Sequence, residues 1–170
     1  GASAGVLGAP LNRIKGEASA ASAWSLGRDR LRALAGVVAA SGFVLGLEPV
    51  PSAYGADFLT DADEVTRMVS EVNHNGLRVH LDTGCAFLGG GSISEAVRAS
   101  GGYLAHFHIA EPHLKGFEAP VCDHFGASDS LSSIDYGGWV VIEMREQPTD
   151  PLGELYRAAR FASAYYFNKS

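Results

Sequence analysis

GLRVHLDTG, residues 76–84, is an apolar run that stops on an acid and then turns, and three other runs repeat that pattern. GFVLGLEP stops at Glu48, GGYLAHFHIAEP carries His108, GGWVVIEMRE carries Glu143, and the run quoted first carries Asp82. The intervals of 34, 26 and 35 residues are each about one strand–helix–strand step. An acid or imidazole at the C-terminal tip of successive parallel strands converges on one mouth, where (β/α) barrels keep their chemistry. The pattern predicts an α/β chain of the parallel (β/α) TIM-barrel type.

The intervening segments agree. Strands are expected at 5–9, 43–47, 77–81, 103–109 and 139–144, alternating with helical patterns. Residues 22–41 place Leu31, Leu34, Val37 and Val38 on one face. Thr60 and Asp61 are overlapping start signals, with Glu64 in capping-box spacing and a Val65, Met68, Val69, Val72 stripe behind them. Ser92 and Glu95 start a short helix ending near Ser100. TGCAFLGGG reads as a loop, residues 111–130 as turn-rich, and a stunted helix is expected near Leu131. Asp150 and Pro151 open a closing helix with Leu152, Leu155, Tyr156 and Ala159 on one face. A closed barrel needs eight strands and typically about 250 residues. These 170 residues supply about five of the eight βα units, so the barrel is expected to be incomplete.

Composition narrows the function. Hydrophobic residues at 46% and charged residues at 19% fit a globular chain with a real core. No run reaches the roughly 20 apolar residues that span a bilayer, so no membrane partner is expected. Cys85 and Cys122 make no disulfide framework or zinc spacing, and reduced cytoplasmic thiols are the default. With 13 Lys and Arg against 19 acids and a net charge of −6, nucleic acid is disfavoured as a partner, and a small-molecule substrate is favoured.

Each strand-tip residue has an ordinary role available to it alone. Glu48 fits a solvated loop acid, Asp82 a cap or turn former, His108 a core histidine, and Glu143 a partner for Arg145. Together they outweigh those readings, because acids seldom sit in apolar runs unless they are paired or bind metal. Three carboxylates and one imidazole suit an octahedral Mn²⁺ or Mg²⁺ better than tetrahedral zinc, with Co²⁺ and Zn²⁺ as lesser fits. Two open positions would take substrate oxygens and polarise a hydroxy-carbonyl compound. Glu48 and Glu143 would face each other as the catalytic acid and base. Arg13, just after the first strand, and His113, Lys115 and His124 in the turn-rich segment are candidates for binding a substrate phosphate or carboxylate.

LEPVPSAYGADFLT, HLDTGCAF, HFHIAEPHL and DYGGWVVIEMR, in that order, resemble the C-terminal part of the xylose isomerase-like TIM barrels. Within them the likeness is to the sugar phosphate isomerase/epimerase group (AP endonuclease family 2-like), which includes the ketose 3-epimerases. LGAPLNRIKGE resembles that group's fourth strand and following loop. The resemblance implies that residues 1–170 are a single C-terminal portion of such a barrel, with metal ligands at Glu48, Asp82, His108 and Glu143. It also implies that the two glutamates shuttle a proton through a cis-enediolate on a carbohydrate-like substrate. Cys85 stands where ketose 3-epimerases carry a histidine, and Glu111-Pro112-His113 occupies the stretch where they carry an arginine, so their substrate contacts do not transfer.

The missing front of the barrel would leave two unpaired strand edges and an open inner face, for which a homodimer or higher homo-oligomer is the economical cover. Gly1 with no Met leaves room for a longer reading frame. Two alternatives compete with a metal-dependent isomerase or epimerase. One is a catalytically inactive truncated barrel acting as a dimeric binding or structural module. The other is an endonuclease IV-like DNA repair enzyme, for which the spare histidines speak and the acidic balance does not.

Overall fold

Five parallel strands lie side by side in strict chain order in the computed structural model, which describes residues 2–146 and 148–167. They are β1 (Ala4–Leu7), β2 (Val44–Leu47), β3 (Leu77–Asp82), β4 (Leu104–Ile109) and β5 (Trp139–Ile142). Sequential order with no reversal is the winding that curls into a barrel, whereas a doubly wound sheet changes direction at a switch point. The result is a half-barrel, an α/β partial TIM barrel. Register sets the inner face: His80 lies beside His106, Asp82 beside His108, and His106 and His108 beside Trp139 and Val141. A register shift between Val79 and His80 brings these histidines level.

The outer face carries the core. Leu77, Val79 and Leu81 of β3 and Phe107 of β4 are buried against helices, each such side chain contributing about 1.5–3 kcal/mol. The covering helices are α1 (Ala20–Ala40), α2 (Ala62–Val72), α4 (Ile93–Ser100) and α5 (His124–Ser133), with α3 (Thr83–Leu88) preceding α4. The α2 stripe is buried as its spacing predicts, and the Asp61 side chain caps the Glu64 N–H. In α1 the buried residues are instead Leu31 and Ala35, while Leu34 and Val37 are exposed. That helix lies so close to β3 that a side chain at Gly76 would overlap the Ala35 carbonyl.

Helix α6 (Pro151–Ala162) begins at Asp150 as its sequence predicts but faces the other way. Ala158 and Ala162 are buried against Ile109 and Phe117, and Leu152, Leu155 and Tyr156 are exposed. Among the described residues β1 and β5 each have a strand on one side only, and Trp139 on the inner face of β5 is 72% exposed. No helix among the described residues is long and apolar enough to cross a membrane.

Candidate active site

The four strand-tip residues meet. Glu48 follows β2, Asp82 ends β3, His108 lies near the end of β4 and Glu143 follows β5. Backbone ladders extend to both glutamates, with Glu48 N–H donating to Leu7 O and Glu143 N–H to Ile109 O, so the tips are held as sheet rather than loop. One ligand atom from each of the four residues lies within 4.8 Å of all the others. His108 Nδ1 is 3.1 Å from Glu143 Oε2 and 3.9 Å from Asp82 Oδ2.

Asp82 divides its two oxygens. Oδ1 accepts from the Cys85 N–H at 2.7 Å and so caps α3, within the segment whose sequence reads as a loop. Oδ2 is buried and has no hydrogen-bond partner among the described residues. Glu48 is buried, with its Oε1 3.8 Å from the Cys85 thiol and 3.5 Å from His80 Nε2. Burial, and then the Glu143 charge, push the Glu48 carboxyl up to about 7. Burial likewise raises Asp82, and the neighbouring carboxylates add to that effect. The hydrogen bond from His108 holds Glu143 below the usual carboxylate range. Burial opposes charge on His108, yet the Glu143 hydrogen bond and the three carboxylates raise its pKa above the free imidazole value. Crowded carboxylates with a buried, unpartnered oxygen are the environment a hard divalent cation satisfies, and the donor set fits Mn²⁺ or Mg²⁺.

The other candidates part company. His113 lines the cleft above the four ligands, a cavity of about 240 Å³ that Tyr54, Glu48, Glu143 and Arg145 also border. His113 and Leu114 hold left-handed backbone, with φ of 60° and 57°. His113 N–H donates to the Tyr54 hydroxyl, and Arg145 N–H donates to Leu114 O, which ties three loops into one rim. Strained non-glycine backbone of this kind concentrates where side chains must be aimed. Arg13 is buried beneath the mouth, donating from Nη2 to Leu7 O and Glu48 O, so it braces the tips of β1 and β2. Lys115 lines a separate surface cavity with Glu118 and Glu154.

His124 lies inside the wall: its Nε2 is 2.6 Å from Glu111 Oε1 and its Nδ1 is 2.8 Å from the Tyr166 hydroxyl. Glu111 also accepts from the Val121 and Cys122 N–H groups. Burial opposes charge on Glu111, but these hydrogen bonds hold its carboxyl below the ordinary range. Tyr54 and Arg145 are cleft residues that sequence reasoning did not single out as site candidates. For Arg145 the available signal was its place two residues after Glu143, just beyond a strand.

Fold and site together define a class. The xylose isomerase-like TIM barrel family matches residues 4–164, and the chain belongs to that family. Among its relatives is the D-psicose 3-epimerase of Ruminiclostridium cellulolyticum, 31% identical over 120 residues, which are 71% of this chain and 41% of that protein. A solved L-ribulose 3-epimerase superposes with a TM-score of 0.79 at 22% identity, over 95% of this chain and 59% of its own. The Escherichia coli 3-keto-D-glucoside 4-epimerase matches with a TM-score of 0.76 at 23% identity, over 87% and 56%. An AP endonuclease family 2 protein from Brucella melitensis shares the fold, with a TM-score of 0.70 at 20% identity over 90% and 58%. The chain spans less than two thirds of the length of each of these relatives.

Proposed function

We propose that this chain carries the metal-binding and proton-transfer part of a divalent-metal-dependent isomerase or epimerase. Its substrate would be a small sugar, sugar phosphate or related hydroxy-carbonyl compound. The observation that carries this reading is the meeting of Glu48, Asp82, His108 and Glu143 within 4.8 Å at successive strand tips. The family's curated and solved keto-sugar epimerases support the substrate class. Their longer chains support reading residues 1–170 as one portion of a larger barrel.

A Mn²⁺ or Mg²⁺ ion held by these four residues would polarise a chelated hydroxy-carbonyl group and make its α C–H more acidic. Glu48 and Glu143 follow β2 and β5, the strands that flank the β3–β4 pair carrying Asp82 and His108. One carboxylate removes the α proton and leaves an enediolate; the other returns a proton, so that atoms and charge balance without an oxidant. Arg13 fixes the backbone of Glu48, and the His108 hydrogen bond orients Glu143. Tyr54, His113 and Arg145 are placed to hold the rest of the substrate at the rim.

Proton NMR of a panel of ketoses in D₂O with Mg²⁺-loaded protein tests this reading. Loss of the α-proton signal by exchange is expected. A folded, metal-loaded chain that exchanges no α proton on any ketose contradicts it and favours the inactive binding-module reading. The acid-lined cleft and the net charge of −6 count against the DNA-repair reading. The edges of β1 and β5, unpaired among the described residues, and the exposed Trp139 support the further proposal of a homo-oligomer that covers the open side.

A further inference from the structure

Below the mouth, the inner face of the half-barrel carries three histidines where barrel interiors ordinarily hold branched aliphatic residues. His80, His106 and His108 lie on adjacent strands in register, and their ring centroids are 4.2 to 5.2 Å apart. His80 Nδ1 is 3.2 Å from His106 Nδ1. Two imidazole nitrogens on a tetrahedral ion with metal–nitrogen bonds near 2.0–2.1 Å keep about 3.3 Å between them, so this pair already has that spacing. A ligand nitrogen from each of the three rings lies within 4.8 Å of the others.

A hydrogen bond between the first two rings does not account for the cluster. It uses Nδ1 of His80, a residue with no exposed surface, and leaves its Nε2 facing Glu48 Oε1 at 3.5 Å without a hydrogen bond among the described residues. The neighbouring strand also yields to His80: a Cβ at Gly46 would come within 2.9 Å of the His80 Cβ.

We infer that His80, His106 and His108 form a second metal site, nitrogen-rich and sharing only His108 with the carboxylate set, for a divalent ion that favours imidazole, such as Zn²⁺. Ligand chemistry separates the two: imidazole suits Zn²⁺, Cu²⁺ and Ni²⁺, whereas carboxylates suit Mg²⁺ and Mn²⁺. His108 belongs to both sets; a neutral imidazole offers one nitrogen lone pair, so occupation of both sets at once requires the ring to bridge as imidazolate, with its N–H proton released to solvent on metal binding.

The test is Zn²⁺ stoichiometry by equilibrium dialysis and elemental analysis on the full chain. It is run beside the visible absorption spectrum of Co²⁺-loaded protein, in which a tetrahedral site absorbs far more strongly than an octahedral one. Glu143→Gln weakens the carboxylate set and leaves the three imidazoles, so it should still retain one equivalent of Zn²⁺. His106→Gln, at a half-buried ring, should lose that equivalent and the Co²⁺ band while still binding Mn²⁺. Mn²⁺ binding reports the proposed active site separately, so the failure of either reading is recognisable by itself. Zn²⁺ binding that is absent from Glu143→Gln, or unchanged in folded His106→Gln and His80→Gln, overturns the inference.

Discussion

Gly8 and Glu48 occupy one space: a Cβ at residue 8 would sit on the Glu48 Oε2 atom. The strand-end glycine is therefore the cradle that lets the Glu48 carboxylate turn toward Asp82 and His108. Gly8→Ala is expected to swing Glu48 away and weaken Mn²⁺ binding at least tenfold, with little loss of helical circular dichroism. Calorimetric titration of the variant checks this, and unchanged affinity would remove Gly8 from the account.

Glu143 is the more exposed of the two glutamates, at 44% of its side chain, so its replacement should spare the fold. General acid–base groups contribute about 10²- to 10⁴-fold to rate. Glu143→Gln removes a metal ligand together with the acid–base group, so it is expected to slow α-proton exchange by at least that factor, as measured by NMR in D₂O.

Stability without metal should fall as pH rises. Glu48 titrates near 7 in the folded chain against 4.5 as a free carboxyl, and Asp82 is raised as well. A group whose folded pKa is raised contributes stability that is complete below its unfolded pKa and lost as pH climbs through the folded one. The raised His108 works in the same direction, and the lowered Glu143 matters only as pH falls below the ordinary carboxylate range. In EDTA, the buried His80 and His106, lowered to about 3 and about 4, oppose that slope up to the free imidazole value, so the urea midpoint is expected to decline above about pH 6.5, and saturating Mg²⁺ should flatten the decline. A midpoint that rises over this window in EDTA contradicts the electrostatic account.

The Glu111–His124 pair is a stability element, with both side chains 2% exposed. Removing the imidazole leaves Glu111 with the Val121 and Cys122 N–H groups, and losing a hydrogen bond to a charged group typically costs about 1.5–3 kcal/mol. His124→Ala should show that loss in urea unfolding, and adding Glu111→Gln should recover part of it. Equal stability of the two variants would mean that Glu111 finds another partner.

The strand tips were legible because an acid or imidazole rarely closes an apolar run without a buried partner or a metal to satisfy it. Sequential winding followed from the same runs. Helix α3 was not legible, since TGCAFLGGG has the composition of a loop. What makes it helical is the Asp82 cap and the close approach of Gly84 to the Glu111 carbonyl, which only the folded β4 supplies. The α6 stripe was read correctly as one face, but a stripe does not say what covers it, and here Ala158 and Ala162 make the contact. The turn-rich segment resisted for a similar reason: His113, Lys115 and His124 differ in destination because of backbone turns such as the left-handed His113–Leu114 pair. Only His113 reaches the cleft, joined there by Arg145.

The central claim is that Glu48, Asp82, His108 and Glu143 together hold one hard divalent cation. Isothermal titration of Mn²⁺ into the metal-stripped protein tests it most directly, with Glu48→Gln and Glu143→Gln titrated alongside. One equivalent bound by the parent chain and abolished or severely weakened in both variants is the predicted result. A folded parent chain that binds no Mn²⁺, or variants that bind it as the parent does, would contradict the claim.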